Sequence, residues 1–497
     1  MKNTSLLAFV KNPKVILVLV LSVFFLKGVF LATVEPIFGG QDEARHYDTV
    51  QFMTEPASAV PNEKKDSRKN DATVRDKDNF ETYNFSQEIQ KAAIATDTDV
   101  LRGEIFNTIN FSNSDIGLNE SEINAHAWKP YNYYLEPDIA GRTSLYHKIA
   151  SQIEKLFASQ DILVRFYLLR IFSVLLGTLA ILLTFLIAKT IGFSSKHALI
   201  MTAIVSFQPK ISMYFTNINY DALLMPAFFL FTWAGVLILK KGINWKNLLL
   251  LFVSIFVAIQ TKPTGFILFV PLTGLIAHLT YEKAKNLSKK VRIIALSGSF
   301  LAVALVGFFL YTHFLASNLS FGKTLMTIGD YASRTLTFSK FVLPSETYWG
   351  NLSWTNNFLL SNTTNLIFII EMAAFVGLGL FFFSKKSDSQ RTDFLPEKKY
   401  LLFLIGMIVI LQLGIRVADW SVFSRIGGAK WGLGTPGRYF LPNLASHLIL
   451  VFTGLGALLS HFKKERFFNH VLLAGLLGMF AFAMYLIFDV IIYRFYL

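Results

Sequence analysis

The chain has 497 residues, is 53% hydrophobic with 49 Phe, and has a mean hydropathy of +0.46, an apolar load that excludes a soluble globular protein. With no cysteine, it has no disulfide, no thiolate metal site and no cysteine nucleophile. Its net charge of +14 does not mark a nucleic-acid-binding surface, because most Lys and Arg fall in short loops between apolar spans.

A helix crosses ~30 Å of hydrocarbon in about 20 residues. That template predicts about eleven transmembrane helices: Val15–Val34, Phe166–Ile191, Ala198–Thr216, Ala222–Leu239, Leu248–Gln260, Thr264–Thr280, Ile293–Phe314, Asn365–Phe383, Tyr400–Val417, Phe440–Ser460 and Val471–Ile492. Leu248–Gln260 is short, and Pro263 leaves a choice between two spans and one long kinked one. Charge decides. With a cytoplasmic N-terminus and a break at Pro263, the inner segments carry 21 Lys and Arg and the short outer connections carry 7. The expectation is a single membrane domain over residues 1–497, multi-pass in the cell membrane, with outer loops at 35–164 and 315–364.

The first outer loop is not uniform. Leu145, Ile149, Ile153 and Leu156 recur at helical spacing, which predicts an amphipathic helix lying on the outer membrane surface. Residues 42–53 can form another at the start of the loop. The stretch 61–78 is highly charged and reads as a connector. In the second loop, Trp349 and Trp354 fit an aromatic belt, or the lining of a sugar or polyprenyl groove.

The polar groups at the outer ends of the spans form the candidate site. Asp42, Glu43 and His46 follow the first span and share one helical face. Asp221 opens the fourth span, Lys262 separates the fifth from the sixth, and Arg438 and Tyr439 enter the tenth. A carboxylate can take the proton of an acceptor hydroxyl. Lys and Arg can hold a phosphate and stabilise charge on a phosphate leaving group, Arg with a bidentate fork. Each group also has a purely structural use. The Asp42–Glu43 pair can complement a helix dipole or hold a divalent metal, Asp221 can cap a helix, and Lys262 and Arg438 can snorkel to the interface. No phosphate-cradling Gly-rich loop follows a strand, which disfavours direct use of a nucleotide sugar.

Six segments carry a family resemblance: Gln41-Asp42-Glu43-Ala44-Arg45-His46-Tyr47, Arg170-Ile171-Phe172-Ser173-Val174-Leu175-Leu176-Gly177, Asn219-Tyr220-Asp221-Ala222-Leu223, Thr261-Lys262-Pro263-Thr264, Tyr348-Trp349-Gly350-Asn351-Leu352-Ser353-Trp354 and Gly437-Arg438-Tyr439-Phe440-Leu441-Pro442. In this order the chain resembles the GT-C superfamily of polytopic glycosyltransferases, and within it a bacterial family of predicted membrane proteins of unknown function. It departs in having Ala44 and Arg45 after the acidic pair, where proline is frequent, and Thr143-Ser144-Leu145-Tyr146 in place of a His-Pro-Pro-Leu-Tyr run. The resemblance implies a GT-C-like fold and an inverting glycosyltransferase. Its donor would be a polyprenyl-phosphate-linked sugar, its acceptor a glycan, lipid or protein of the cell envelope, and its active site extracytoplasmic. It places the catalytic acid at Asp42 or Glu43. Lys262 and Arg438 would hold the donor phosphate, with His46, Asp221 and Tyr439 shaping the site. The rival expectations are a transporter or flippase of lipid-linked glycans and a non-catalytic assembly factor. Glu371 and His447, inside spans, are the residues a transporter would use.

The topology has a direct check. Reporter fusions at Lys241, Asn286 and Ser387 should all read cytoplasmic; an external reading at Asn286 beside a cytoplasmic one at Lys241 would overturn the break at Pro263.

Overall fold

A computed structural model describes residues 12–40, 42–54, 89, 92, 144–284, 297–298, 321–335, 347–350, 361–384, 394–425 and 436–492. Among them there are helices and no strand. The chain enters the first span at an N-cap, where Asn12 accepts from the Lys14 amide at 3.0 Å and Pro13 takes the first helical position. This helix, α1 (Pro13–Val34), turns Val18, Leu19, Leu26 and Phe30 outward, as a lipid-facing helix does. It stops before Pro36, whose ring disfavours a helical conformation at Glu35.

Two short helices follow, α2 (Glu43–Thr54) and α3 (Leu145–Leu156). Both of the expected outer-loop helices therefore form. On α3, Tyr146, His147, Ser151 and Glu154 are buried, while Ile149 and Leu156 share the exposed side with Lys148, Gln152 and Lys155. That mixed apolar and basic side suits a helix at a membrane surface. Residues 55–143, including the predicted connector, lie outside the described residues apart from 89 and 92.

The long helix α4 (Ile162–Ile191) is capped by Asp161 and ends at Gly192 with φ +121°. Its 30 residues rise about 45 Å, more than the ~30 Å of hydrocarbon, so its first turns stand clear of the membrane core. Arg165 and Arg170 occupy those turns.

The predicted third span is divided in two, α5 (Ser195–Phe207) and α6 (Pro209–Tyr214). Pro209 cannot continue a helix, and Gln208 restarts it by accepting from the Ile211 amide at 2.5 Å. Gln208 also donates to the Tyr348 carbonyl at 2.7 Å. The break leaves the Ser206 carbonyl without a helical donor. Lys27 of α1 supplies one, and reaches Ser212 Oγ at 2.8 Å as well.

Helix α7 (Asp221–Lys241) is apolar all round and buried along most of its length, the mark of a central span. Helix α8 (Trp245–Thr261) ends at Lys262, and a 3-10 turn, Pro263–Leu268, leads into α9 (Phe269–Ala284). Gly265 lies so close to the Ala258 backbone that a Cβ would stand 2.3 Å from its carbonyl carbon, so the chain folds back at Pro263. The predicted span Ile293–Phe314 lies outside the described residues apart from 297 and 298. Next come α10 (Phe321–Thr335), α11 (Ser361–Phe383) and α12 (Lys398–Arg425). A 3-10 segment, Gly437–Asn443, opens α13 (Leu444–His461), and α14 (Phe468–Tyr485) runs on into a π-helical stretch, Leu486–Ile492. Among the described residues, eight segments are long and apolar enough to cross a membrane, and α5 and α8 are shorter apolar helices.

Helices α11 and α13 touch backbone to backbone, with Gly377 against the Gly454 carbonyl and Gly454 against that of Ala374. The contact brings Glu371 Oε1 within 3.1 Å of His447 Nε2, and His447 Nδ1 within 2.9 Å of the Tyr348 hydroxyl. Trp349 is buried, with its ring 6.0 Å from that of His447. It therefore belongs to the core and not to an aromatic belt; Trp354 lies outside the described residues.

Candidate active site

The link between α1 and α2 is held by one guanidinium. Arg170 is fully buried, and all its N–H directions are used. Nε donates to Glu43 Oε1 at 2.9 Å and Nη2 to Oε2 at 2.7 Å, a bidentate pair. Nη1 donates to the Ala32 and Glu35 carbonyls, both at 2.6 Å, and Nη2 to the Pro36 carbonyl at 2.8 Å. Those carbonyls stand at and just past the end of α1, where a helix has no acceptor partners of its own.

Glu43 is also fully buried and equally committed. Its Oε1 accepts from the Ile218 amide at 2.9 Å, and Oε2 from the Gly40 amide at 3.1 Å. With the two bonds from Arg170, four donors meet the four lone-pair directions of one carboxylate. Glu43 has no direction left for a metal ion, and no substrate proton can reach it. A divalent cation shared between Asp42 and Glu43 does not fit these bonds. Among the described residues, no group of three or more His, Asp or Glu is placed to hold one.

Asp42 differs from its neighbour. It sits in the left-handed region at φ +57°, a conformation Asp tolerates better than most residues. Its side chain is 35% exposed, and Arg45 lies 3.8 Å away. Its charge reaches Tyr220 and Arg438. The turn before it presses on the α6–α7 loop, since a Cβ on Gly40 would stand 2.5 Å from Asn217 Cγ.

That loop carries the next layer. Asn219, not Asp221, caps α7, accepting from the Ala222 amide at 3.0 Å. Asp221 is thereby released from capping. It accepts from the Tyr214 hydroxyl at 2.9 Å and from Lys262 Nζ at 3.0 Å on each oxygen. The Lys262 ammonium lies 4.6 Å from the Tyr220 ring centre and 4.9 Å from that of Tyr439, and the Arg438 guanidinium lies 5.0 Å from Tyr439. Burial opposes the charge on Lys262, but Asp221, Tyr220 and Tyr439 outweigh it and raise its pKa above the ordinary lysine value. Burial, against the pull of Lys262, raises the Tyr220 phenol. Lys210 of α6 is buried within reach of the charges of Arg438 and Glu35.

His46 is buried against this cluster. Its ring centre lies 4.6 Å from that of Tyr220, at 82° between planes, and its Nδ1 lies 3.0 Å from His147 Nε2. Burial, then the charges of Lys262, Arg45 and Arg438, lowers its pKa to about 3. His147 is lowered for the same first reason, with His46 as the second.

All seven of the residues that sequence reasoning placed in the site, Asp42, Glu43, His46, Asp221, Lys262, Arg438 and Tyr439, lie at one end of the bundle. Six of them face one another, while Glu43 faces inward to Arg170. Sequence reasoning did not place Arg170, Tyr214, Tyr220 or His147. A lone arginine in an otherwise apolar span was the available signal for Arg170, because such a charge needs a buried partner. For Tyr214, Tyr220 and His147, the sequence carries no spacing signal.

A family model described as dolichyl-phosphate-mannose-protein mannosyltransferase matches residues 161–311, less than a third of the chain. The matched stretch contains Arg170, Tyr220, Asp221 and Lys262. No curated protein and no solved structure matches the chain. The described residues define an all-α, polytopic membrane protein, and its stretch 161–311 is similar to a family of GT-C-type glycosyltransferases. More particularly, the match supports a membrane glycosyltransferase that works with a polyprenyl-phosphate sugar.

Two outcomes follow from the geometry. Arg170→Met or Glu43→Gln removes one partner of a buried, fully bonded pair and should cost about 3–5 kcal/mol of stability. Thermal unfolding in lipid nanodiscs checks this, and wild-type stability in both variants would refute it. The histidine pair gives a pH dependence. A folded pKa of about 3 against an ordinary 6.5 means that the unfolded chain binds the extra proton between those values. Stability is full above pH 6.5 and declines as the pH falls toward 3, by at most about 1.4 kcal/mol per pH unit for each histidine. Melting temperatures measured from pH 4 to 7 should slope upward, and His46→Gln should flatten the slope.

Proposed function

We propose that this chain is an inverting glycosyltransferase of the cell membrane. It transfers a sugar from a polyprenyl-phosphate-linked donor to a cell-envelope acceptor, a glycan, lipid or protein, on the extracytoplasmic face. The reading is carried by the contrast between two adjacent carboxylates. Glu43 is sealed and spent on structure, while Asp42 is open beside Arg45, Arg438 and Tyr220. A general base must reach solvent-delivered substrate, and a phosphate leaving group needs cations beside it.

Asp42 takes the proton of the acceptor hydroxyl. The acceptor oxygen bonds to the anomeric carbon from the face opposite the phosphate. The bond from that carbon to the phosphate oxygen breaks, and its electron pair leaves with the polyprenyl phosphate. Lys262 and Arg438 meet the charge that develops there. Asp221 and Tyr214 hold Lys262 in place, and the Tyr220 and Tyr439 rings flank its ammonium. No step requires a metal ion. The extracytoplasmic placement rests on the excess of Lys and Arg in the opposite loops.

A second reading has its own support. The α5–α6 break with Lys27 and the Glu371–His447 pair are intramembrane polar features of the kind transporters use. Both are internally matched, which fits structural use better than ion passage.

The test is transfer by purified protein in nanodiscs from polyprenyl-phosphate sugars to envelope acceptors. Asp42→Asn keeps size and loses the base, so the rate should fall about 10²–10⁴-fold with folding unchanged. Full transfer by Asp42→Asn would remove Asp42 from the chemistry, and transbilayer movement of the donor with no transfer by wild type would favour the transporter.

A further inference from the structure

His46 has a fixed proton. The chain of bonds begins at Ser144, whose backbone N–H donates to His147 Nδ1 at 3.2 Å and whose hydroxyl Oγ, 3.0 Å from the same nitrogen, can donate to it as well. A nitrogen that accepts there carries no proton, so neutral His147 holds its proton on Nε2. That N–H points at His46 Nδ1, 3.0 Å away, which must therefore accept. The remaining proton of His46 lies on Nε2. Among the described residues Nε2 has no hydrogen-bond partner, and it is not sealed from access. The charges of Lys262, Arg45 and Arg438 all reach the ring.

The relay also limits what His46 can do. To accept a proton on Nε2, the ring would carry a second N–H on Nδ1, facing the His147 N–H. Moving the His147 proton to Nδ1 would set that N–H against the Ser144 amide N–H, with Ser144 Oγ, 3.0 Å away, to accept it. A backbone amide cannot become an acceptor, so this tautomer gives up the Ser144 N–H bond and is the less favourable of the two. The arrangement thereby disfavours His46 as the general base and as an imidazolium paired with a phosphate. It is a neutral donor among cations.

We infer that His46 donates its Nε2–H to a neutral oxygen of the sugar next to the phosphate, and that His147 is the positioning residue that fixes this tautomer. The inference rests on the polyprenyl-phosphate reading for its ligand, and on the Ser144–His147–His46 bonds for its direction. The cations are suited to the phosphate, and a neutral hydroxyl or ring oxygen is suited to a neutral N–H. His46 would thus sense the sugar and leave the lipid phosphate to Lys262 and Arg438.

Two measurements on the full-length protein in nanodiscs test it. The first is imidazole ¹⁵N NMR, with His46 and His147 assigned by their loss in His46→Gln and His147→Gln. Both rings should be neutral Nε2–H tautomers from pH 5 to 8. An Nδ1–H form or an imidazolium at His46 would overturn the relay. His147→Gln keeps an N–H donor toward His46 and should preserve the His46 signature, whereas His147→Phe should convert it to a tautomer mixture. An unchanged His46 signature in His147→Phe would overturn the positioning role.

The second measurement is binding of two probes, farnesyl phosphate and a panel of farnesyl-phosphate hexoses of gluco, galacto and manno configuration. His46→Phe should lose about tenfold in affinity for the preferred hexose, the size of one neutral hydrogen bond, and keep wild-type affinity for farnesyl phosphate. His46→Gln should recover part of the loss. Equal losses on both probes would move the contact to the phosphate and overturn the sugar assignment. If wild type binds neither probe, the donor reading fails, and the sugar as the ligand of His46 fails with it, while the NMR result still stands on its own.

Discussion

A single buried ion pair organises this end of the protein. Arg170 reaches from α4 to the end of α1, to the turn that follows it and to the first residue of α2, and Glu43 passes the constraint on to the α6–α7 loop through the Ile218 amide. Three stretches far apart in sequence, around residues 32–43, 170 and 218, are thus tied together by one guanidinium and one carboxylate. Desolvating such a pair is costly, and it is tolerated only when every lone pair and proton is met, as they are here. The site stands on this anchor. Asp42 is one residue from Glu43, and Asp221 is three residues from Ile218. The pair therefore helps fix the backbone from which both acids project, and Tyr214 and Lys262 hold the Asp221 side chain.

Spans and polar end-groups were legible in the sequence because the membrane imposes them. A helix must be long and apolar to cross, and basic residues collect on one side; that was enough to separate α8 from α9 at Pro263 and to gather Asp42, Asp221, Lys262 and Arg438 at one end. The division of labour between Asp42 and Glu43 was not legible. The two acids are adjacent, and their roles differ only because one meets Arg170, 127 residues away. The break at Gln208–Pro209 had its local signal in Pro209, but the apolar run from Ala198 to Thr216 is long enough to be read as one span. The His46–His147 contact joins positions 101 residues apart, with no periodicity to announce it. Local pattern gave membership of the site, and tertiary contact assigned the roles.

Helix α3 has two uses. Its outer side, with Leu156 76% exposed, combines apolar and basic residues, and Tyr146, His147, Ser151 and Glu154 enter the protein. There Glu154 meets Arg165 and accepts from the Tyr47 hydroxyl at 3.1 Å, while Ser144 and His147 begin the relay to His46. The helix that the sequence predicts for the membrane surface thus also carries the partner of a site histidine within its twelve residues.

Lys27 has a consequence for how the protein is made. It lies inside α1, and its partners, the Ser206 carbonyl and Ser212 Oγ, are 179 and 185 residues further along the chain. During synthesis α1 must enter the bilayer long before they exist. A lysine near the centre of a helix costs about 2.5–3.5 kcal/mol on insertion scales, and the apolar remainder of α1 has to carry that burden alone. Until α5 and α6 arrive, the nascent protein holds an unmet charge in hydrocarbon. Its first helix is then not a finished anchor but one that waits for its place, held by the insertion machinery or by water around the ammonium. The order of assembly is thereby written into one side chain: α1 enters first and settles only when the broken third span closes over it.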